Sequence, residues 1–174
     1  MAHFEGPMFR LKSLFKLWRR GPASPYDAIL RQIPLFHTLN QRERGLVELI
    51  LHERTYVAGE LIWEEGEEGL GMYIILEGQV KVVRKGIAGK RELGTLAVGE
   101  SFGELSLLEG GTRTVGVIAA ESPTRLLSLF RPELLRLMEN HSRIGHKLCY
   151  ELACGLARRY RTVLDREPGR ELLE

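Results

Sequence analysis

The residues best suited to chemistry stand together in Phe102-Gly103-Glu104-Leu105-Ser106-Leu107-Leu108-Glu109-Gly110-Gly111-Thr112-Arg113-Thr114. A glycine, a carboxylate, a hydroxyl and a guanidinium follow one another there at a spacing that suits one small organic phosphate. Gly103 lets the backbone approach a ligand closely, and Glu104 to Leu108 can form a short helical turn whose N–H groups face an anion. Arg113 supplies a permanent cation whose planar fork matches phosphate oxygens. Glu104 cannot serve the phosphate itself, because two anions repel; the partner it can use is a hydroxyl.

This segment resembles the phosphate-binding cassette of the cyclic nucleotide-binding domain family, the cAMP receptor module. In that family a Gly-Glu pair opens the cassette helix, a small residue stands where Ser106 is, and an Arg follows at the spacing of Glu104 to Arg113. Upstream, Val57 to Gly66 and Met72 to Val82 resemble the family's early barrel strands with their glycine turns. The resemblance runs over roughly Ile33 to Val163, and agreement in several separated blocks is more specific than one short motif.

The resemblance implies a ligand set of Phe102, Gly103, Glu104, Leu105, Ser106, Arg113 and Thr114, with Arg113 on the cyclic phosphate and Glu104 accepting from the ribose 2′-OH. It implies cAMP as ligand in preference to cGMP. Thr114 leaves the base open, since a hydroxyl there has been linked with the guanine amino group. Ser106 departs from the family's commoner alanine, Thr112 replaces a frequent proline, and Gly110-Gly111 loosens the loop, so ordering on binding and modest affinity are expected. Leu105, Val80 and Val82 read as apolar lining or core, the two valines as core.

The elements that must position this segment are mostly strands. Gly78-Gln79-Val80-Lys81-Val82-Val83-Arg84 alternates, with Val80, Val82 and Arg84 sharing one face of a half-buried strand. Thr55 to Val57, Leu61 to Trp63, Tyr73 to Leu76, Glu92 to Leu96, Thr114 to Ala119 and Arg125 to Leu129 are further β-rich runs separated by glycine-containing turns. Many short strands so spaced predict a β jelly-roll barrel, and helical patterns at both ends make the fold class α+β. From Ser142 to about Leu164 the apolar positions Ile144, Leu148, Leu152, Leu156, Tyr160 and Val163 return every three or four residues, which predicts a long C-terminal helix. In the resembled family this helix swings over the occupied pocket and often forms the dimer contact. Ala153, Gly155 and Ala157 near its middle permit close approach, so a homodimer is expected.

With 174 residues the chain suits a single domain, divided as 1–24, a basic amphipathic segment, 25–165, the binding domain with its C-terminal helix, and 166–174, a tail. A net charge of +2 gives no support to a general nucleic-acid role, and no helix-turn-helix follows the long helix, so no DNA binding is expected. Met8 to Arg20 carries five cations without an acidic residue, and Leu11, Leu14, Phe15 and Trp18 recur at helical spacing. Such a helix either rests on an anionic membrane surface or a partner, or packs its apolar stripe on the barrel or a second subunit; the packed arrangement is the expected one. The chain is expected to be cytoplasmic, with peripheral membrane contact as the alternative.

Cys149 and Cys154 lie five positions apart on one helix, about 140 degrees around its axis, a poor geometry for a disulfide. The scattered histidines and the lack of Cys-x-x-Cys predict no metal site. Gly86 to Arg91 and Gly69-Leu70-Gly71 lack the spacing of a phosphate loop and of a dinucleotide fingerprint, and read as hairpin turns. The glutamates of Glu64 to Glu68 read as a solvated turn. No enzyme signature, and no cofactor beyond the nucleotide ligand, is expected. The reading is a regulatory sensor acting on an effector protein that the sequence does not identify. The alternatives are a ligand-free interaction module, against which Glu104 and Arg113 together argue, and a membrane-docking adaptor working through Met8 to Arg20.

Overall fold

The computed structural model describes residues 26–86 and 89–166; the basic segment Met8 to Arg20 and the tail from 167 onward lie outside the described residues. The first elements are α1 (Asp27–Gln32), a 3-10 turn (Pro34–Phe36) and α2 (Gln41–Glu48). Asn40 starts α2 by a reciprocal cap. Its side chain accepts the Glu43 N–H at 3.0 Å, while the Glu43 carboxylate accepts the Asn40 N–H at 2.8 Å.

Eight strands follow among the described residues: β1 (Leu51–Tyr56), β2 (Leu61–Trp63), β3 (Gly71–Glu77), β4 (Val80–Gly86), β5 (Gly89–Leu96), β6 (Ser101–Phe102), β7 (Gly116–Ala119) and β8 (Thr124–Phe130). The short helix α3 (Glu104–Leu108) lies between β6 and β7, and α4 (Arg131–Asn140) and α5 (Ser142–Arg166) close the described chain. The strands form two antiparallel four-stranded sheets, in the orders β1-β8-β3-β6 and β2-β7-β4-β5.

The two central strands of the first sheet, β8 and β3, are buried on both faces, whereas β1 at its edge is mostly exposed. Ile74 and Leu127 pack with the helices, whereas their neighbours Ile75 and Leu126 pack with Tyr56, Val80, Val117 and Ala119 towards the second sheet. Successive side chains of a strand point to opposite faces, so the middle of β8 needs apolar residues on both, and Leu126, Leu127 and Leu129 are all buried. The second sheet has one wet face, and β5 is exposed along nearly its whole length. There the alternation of β4 holds only from Val80 to Val82: Val80 is buried while Lys81 is exposed and pairs with Glu92 at 3.2 Å, but beyond Val82 it breaks, Val83 being buried and Arg84 exposed. A register shift between Val82 and Val83 leaves Leu93 unpaired.

The helices bear on the first sheet through Leu30, Ile33, Phe36, Val47, Leu134 and Leu137, joined by Ile144, Leu148 and Leu152 of α5. A Cβ on Gly145 would lie 2.8 Å from the Met138 side chain, so the corner between α4 and α5 closes tightly only because position 145 has none. Lys147 of α5 donates to the Glu43 carboxylate at 2.6 Å and to the Thr38 carbonyl at 3.1 Å. Burial raises the Glu43 carboxyl pKa, but the bonds from Lys147 and the Asn40 N–H, with the charges of Lys147 and Arg143, outweigh it and hold the group below the ordinary glutamate range.

The α+β class and the long C-terminal helix are present as expected, the helix running to Arg166, the last described residue. Three details differ from the sequence reading. β1 begins at Leu51, before its β-rich core, because pairing with β8 starts at Leu51↔Leu129. β6 has only Ser101 and Phe102, too few residues to show a period, and exists because Tyr73 and Ile74 of β3 pair with them. Gly69-Leu70-Gly71 does not close a hairpin, since β2 and β3 belong to different sheets; Gly86 to Gly89 does, joining β4 to β5.

Candidate functional site

β6 delivers the chain to Gly103, whose φ of 82° is a left-handed conformation open to glycine at little cost. A Cβ there would also lie 2.5 Å from Nη1 of Arg113 and 3.0 Å from the Gly71 carbonyl oxygen. Conformation and space therefore both reserve position 103 for glycine. α3 starts at once, and its first turn, whose N–H groups have no partner inside the helix, lines a cavity.

The cavity has a volume of about 340 Å³, and Phe102, Gly103, Glu104, Leu105, Ser106, Arg113 and Thr114 all line it. Glu104, Ser106 and Arg113 are buried, Phe102 is buried within an aromatic cluster, and Leu105 and Thr114 are exposed at the rim. Val82 of β4, Leu96 of β5 and Val117 of β7 supply apolar wall. Val80 is core, as read from sequence, whereas Val82 is a half-buried lining residue, because the sheet's inner face opens into the cavity at that position.

Arg113 is only 6% exposed and forms no ion pair among the described residues. Its Nη1 donates to the Ser106 hydroxyl at 3.3 Å and weakly to the Gly103 carbonyl at 3.4 Å, and its Nε is buried without a hydrogen-bond partner. The guanidinium carbon lies 3.7 Å from the centroid of the Trp63 ring and 5.9 Å from that of Tyr73. Burial pulls the Arg113 pKa below its ordinary value, while Tyr73 and the charge of Glu67 act the other way. With an ordinary value so far above neutrality, the group stays charged.

Glu104 is the complementary half. One carboxylate oxygen, Oε1, pairs with the guanidinium of Arg159 on α5, and the other, Oε2, is buried without a hydrogen-bond partner. Arg159 also donates to the Ser101 carbonyl at 3.3 Å, and it lines the same cavity. The carboxylate thus faces the cavity and α5 at once. A site with an uncompensated buried cation and a buried acceptor a short way along the chain can hold a ligand that carries both an anion and a hydroxyl.

The sequence reading missed two residues that shape this arrangement. By sequence Trp63 reads only as a strand residue; its contact with Arg113 joins positions 50 residues apart, and no local pattern announces it. Arg159 lies off the apolar stripe of α5, in Ala157-Arg158-Arg159-Tyr160, where it resembles any solvated helix arginine. Among the described residues no group of three His, Cys, Asp or Glu could hold a metal ion, and no helix is long and apolar enough to cross a membrane. Cys149 and Cys154 are free thiols, both half-buried.

Against known proteins, the family model for the cyclic nucleotide-binding domain matches residues 53–141. The Cyclic AMP receptor protein of Thermus thermophilus is 38% identical over 129 residues, a match that takes in 74% of this chain and 57% of that protein. The cAMP-dependent protein kinase regulatory subunit of Mycosarcoma maydis is 37% identical over 95 residues, which are 55% of this chain and 18% of that one. Among solved structures, the N-terminal domain of a transcriptional regulator from Streptomyces coelicolor superimposes with a TM-score of 0.68 at 29% identity, covering 79% of this chain and 95% of that domain. The chain therefore spans little more than half of the first of these relatives and under a fifth of the second.

Proposed function

The chain belongs to the cyclic nucleotide-binding domain family, and on that premise we propose that it is a non-catalytic sensor of a cyclic nucleotide, cAMP in preference to cGMP. The two sheets are read as the halves of the family's jelly roll. The observation that carries the reading is the pairing, in one cavity, of a buried guanidinium without a counter-ion and a buried carboxylate with one free oxygen. A cyclic phosphodiester bears a single charge in a compact ring and suits Arg113 together with the N–H groups of the first turn of α3. A ribose hydroxyl suits Oε2 of Glu104, which needs a donor and has none. The cavity volume of about 340 Å³ falls within the range of small-molecule sites. The names of the cAMP receptor and kinase regulatory subunit relatives favour cAMP; Thr114 at the rim leaves room for cGMP.

The signal would leave through α5. Arg159 ties its outer part to the carboxylate that the nucleotide would use, so occupancy and helix position are linked by one side chain. The helix also exposes Tyr150 and Tyr160 at 62% and 55% on a face with Ala153 and Ala157, which suits contact with a second copy, and we read the chain as a homodimer on that basis. An effector protein, and a cytoplasmic setting, complete the proposal. Isothermal titration with cAMP and cGMP tests it beside Arg113→Ala. Binding at micromolar concentration or tighter, weakened about a hundredfold or more in the variant, is the expected result. A well-folded wild-type chain that takes up neither nucleotide at millimolar concentration would overturn the sensor and leave an interaction module on the same fold.

A further inference from the structure

Resting on the reading of Arg113 as the phosphate cation, we propose that Trp63 is its positioning residue, an aromatic platform that holds the guanidinium buried, oriented and without a counter-ion. A buried arginine usually meets a carboxylate, because an unpaired buried charge is unfavourable. Here the glutamate at the start of α3 is engaged by Arg159 instead, and the place of a counter-ion beside Arg113 is taken by the indole face, 3.7 Å from the guanidinium carbon. An indole is the strongest of the aromatic partners for a cation, and the contact gains strength where water is excluded.

Trp63 is well placed for this task. It is 6% exposed, its Nε1 donates to the Val115 carbonyl at 2.8 Å, and its ring lies 5.1 Å from both the Tyr73 and the Phe102 rings, centroid to centroid. The indole therefore has little freedom to move aside, and β2 fixes the plane on which the guanidinium lies. A Cβ on Gly103 would come within 3.2 Å of the ring and 2.5 Å of Arg113 Nη1, so glycine at 103 leaves the stack its room.

The chemistry separates this arrangement from an ion pair. A carboxylate beside Arg113 would occupy the N–H groups that a phosphate needs, and a ligand would have to displace it. A π face attracts the charge and uses none of those donors, so Nε and the outer N–H groups stay available. Binding then begins from a cation already held in place, with less rotamer freedom left to lose. Trp63 is itself among the residues that line the cavity, so the part of its role that runs through Arg113 is the part felt by a ligand with a phosphate and not by one without.

The test compares wild type, Trp63→Phe and Trp63→Leu, titrated with the preferred cyclic nucleotide and with its parent nucleoside, which carries the same base and ribose but no phosphate. In Trp63→Leu the cyclic nucleotide is expected to weaken about tenfold or more while the nucleoside changes less than about threefold, and Trp63→Phe is expected to recover most of the loss. Equal weakening of both ligands, or a cyclic nucleotide affinity untouched in a folded Trp63→Leu, would overturn the role and leave Trp63 a core residue. If the wild type binds no cyclic nucleotide, the sensor reading falls and the platform is judged alone, by thermal unfolding of Trp63→Leu, Arg113→Ala and the double variant. Non-additive shifts in midpoint support the contact, and additive shifts overturn it.

Discussion

The two halves of α5 are built from one continuous helix and treated very differently by the rest of the molecule. From Ser142 to Leu152 it is part of the core: Ile144, Leu148 and Leu152 are buried against the first sheet and the opening helices, and Lys147 clasps Glu43. From Ala153 onward it leaves that support; Ala157 and Tyr160 are exposed, Leu156 is half-buried, and the tie to the sheets runs through Arg159, to Glu104 and the Ser101 carbonyl. Apolar area anchors the first half, and a charged contact on the proposed ligand carboxylate holds the second. A helix anchored at one end and tied at the other to the proposed ligand carboxylate would shift with ligand only if ligand bound its two positions with different affinities.

Stability measurements give the sharpest test of that contrast. Leu148→Ala, at a fully buried position, is expected to destabilise the fold by about 2–5 kcal/mol, whereas Tyr160→Ala is expected to stay within about 0.5 kcal/mol. Thermal or urea unfolding reads both, and comparable losses would erase the distinction between the halves. Next in size, Glu104→Gln is expected to weaken the cyclic nucleotide by about ten- to a hundredfold, the loss of a hydrogen bond to a charged acceptor being about 1.5–3 kcal/mol. Its partner Arg159→Ala should weaken it less, about tenfold at most, since the arginine is 60% exposed and screened by solvent. Titration calorimetry orders the pair, and a stronger effect from Arg159 would move the centre of recognition onto the helix.

The smallest expected effect concerns the anchored half alone. Glu43 has a folded pKa below its unfolded one, so the stability it contributes is present above the ordinary glutamate range, near pH 4.3, and is lost as pH falls through the folded value. Wild type should therefore lose stability more steeply than Glu43→Gln on acidification below about pH 5, and matched acid dependence in the two would remove the Glu43–Lys147 clasp from the account.

Much of this arrangement is legible in the chain. Gly103, Glu104, Ser106 and Arg113 are near neighbours in sequence, so the segment that brings a carboxylate and a guanidinium to one cavity can be read in a single pass. The alternation at the start of β4 and the apolar return over the first half of α5 likewise follow from periods of two and about 3.6 residues; the register shift after Val82 and the exposure of Tyr160 do not. β6 could not be read, because a two-residue strand has no period and exists only by pairing with β3.

By itself, then, the sequence determined what local chemistry and periodicity can encode: the α+β class, the longer strands, the long helix and the cassette with its cation and carboxylate. Tertiary structure decided which partners those groups meet. It set Arg113 on the face of Trp63 and Arg159 against Glu104, contacts that span 50 and 55 positions of the chain. It also decided that Val82 lines the cavity while Val80 fills the core, and that α5 is held firmly over only part of its length. The physical reason is common to all of these. A side chain's neighbours across a cavity depend on how two sheets and a helix pack, and that packing is set by the burial of the whole core, not by the residues on either side in sequence.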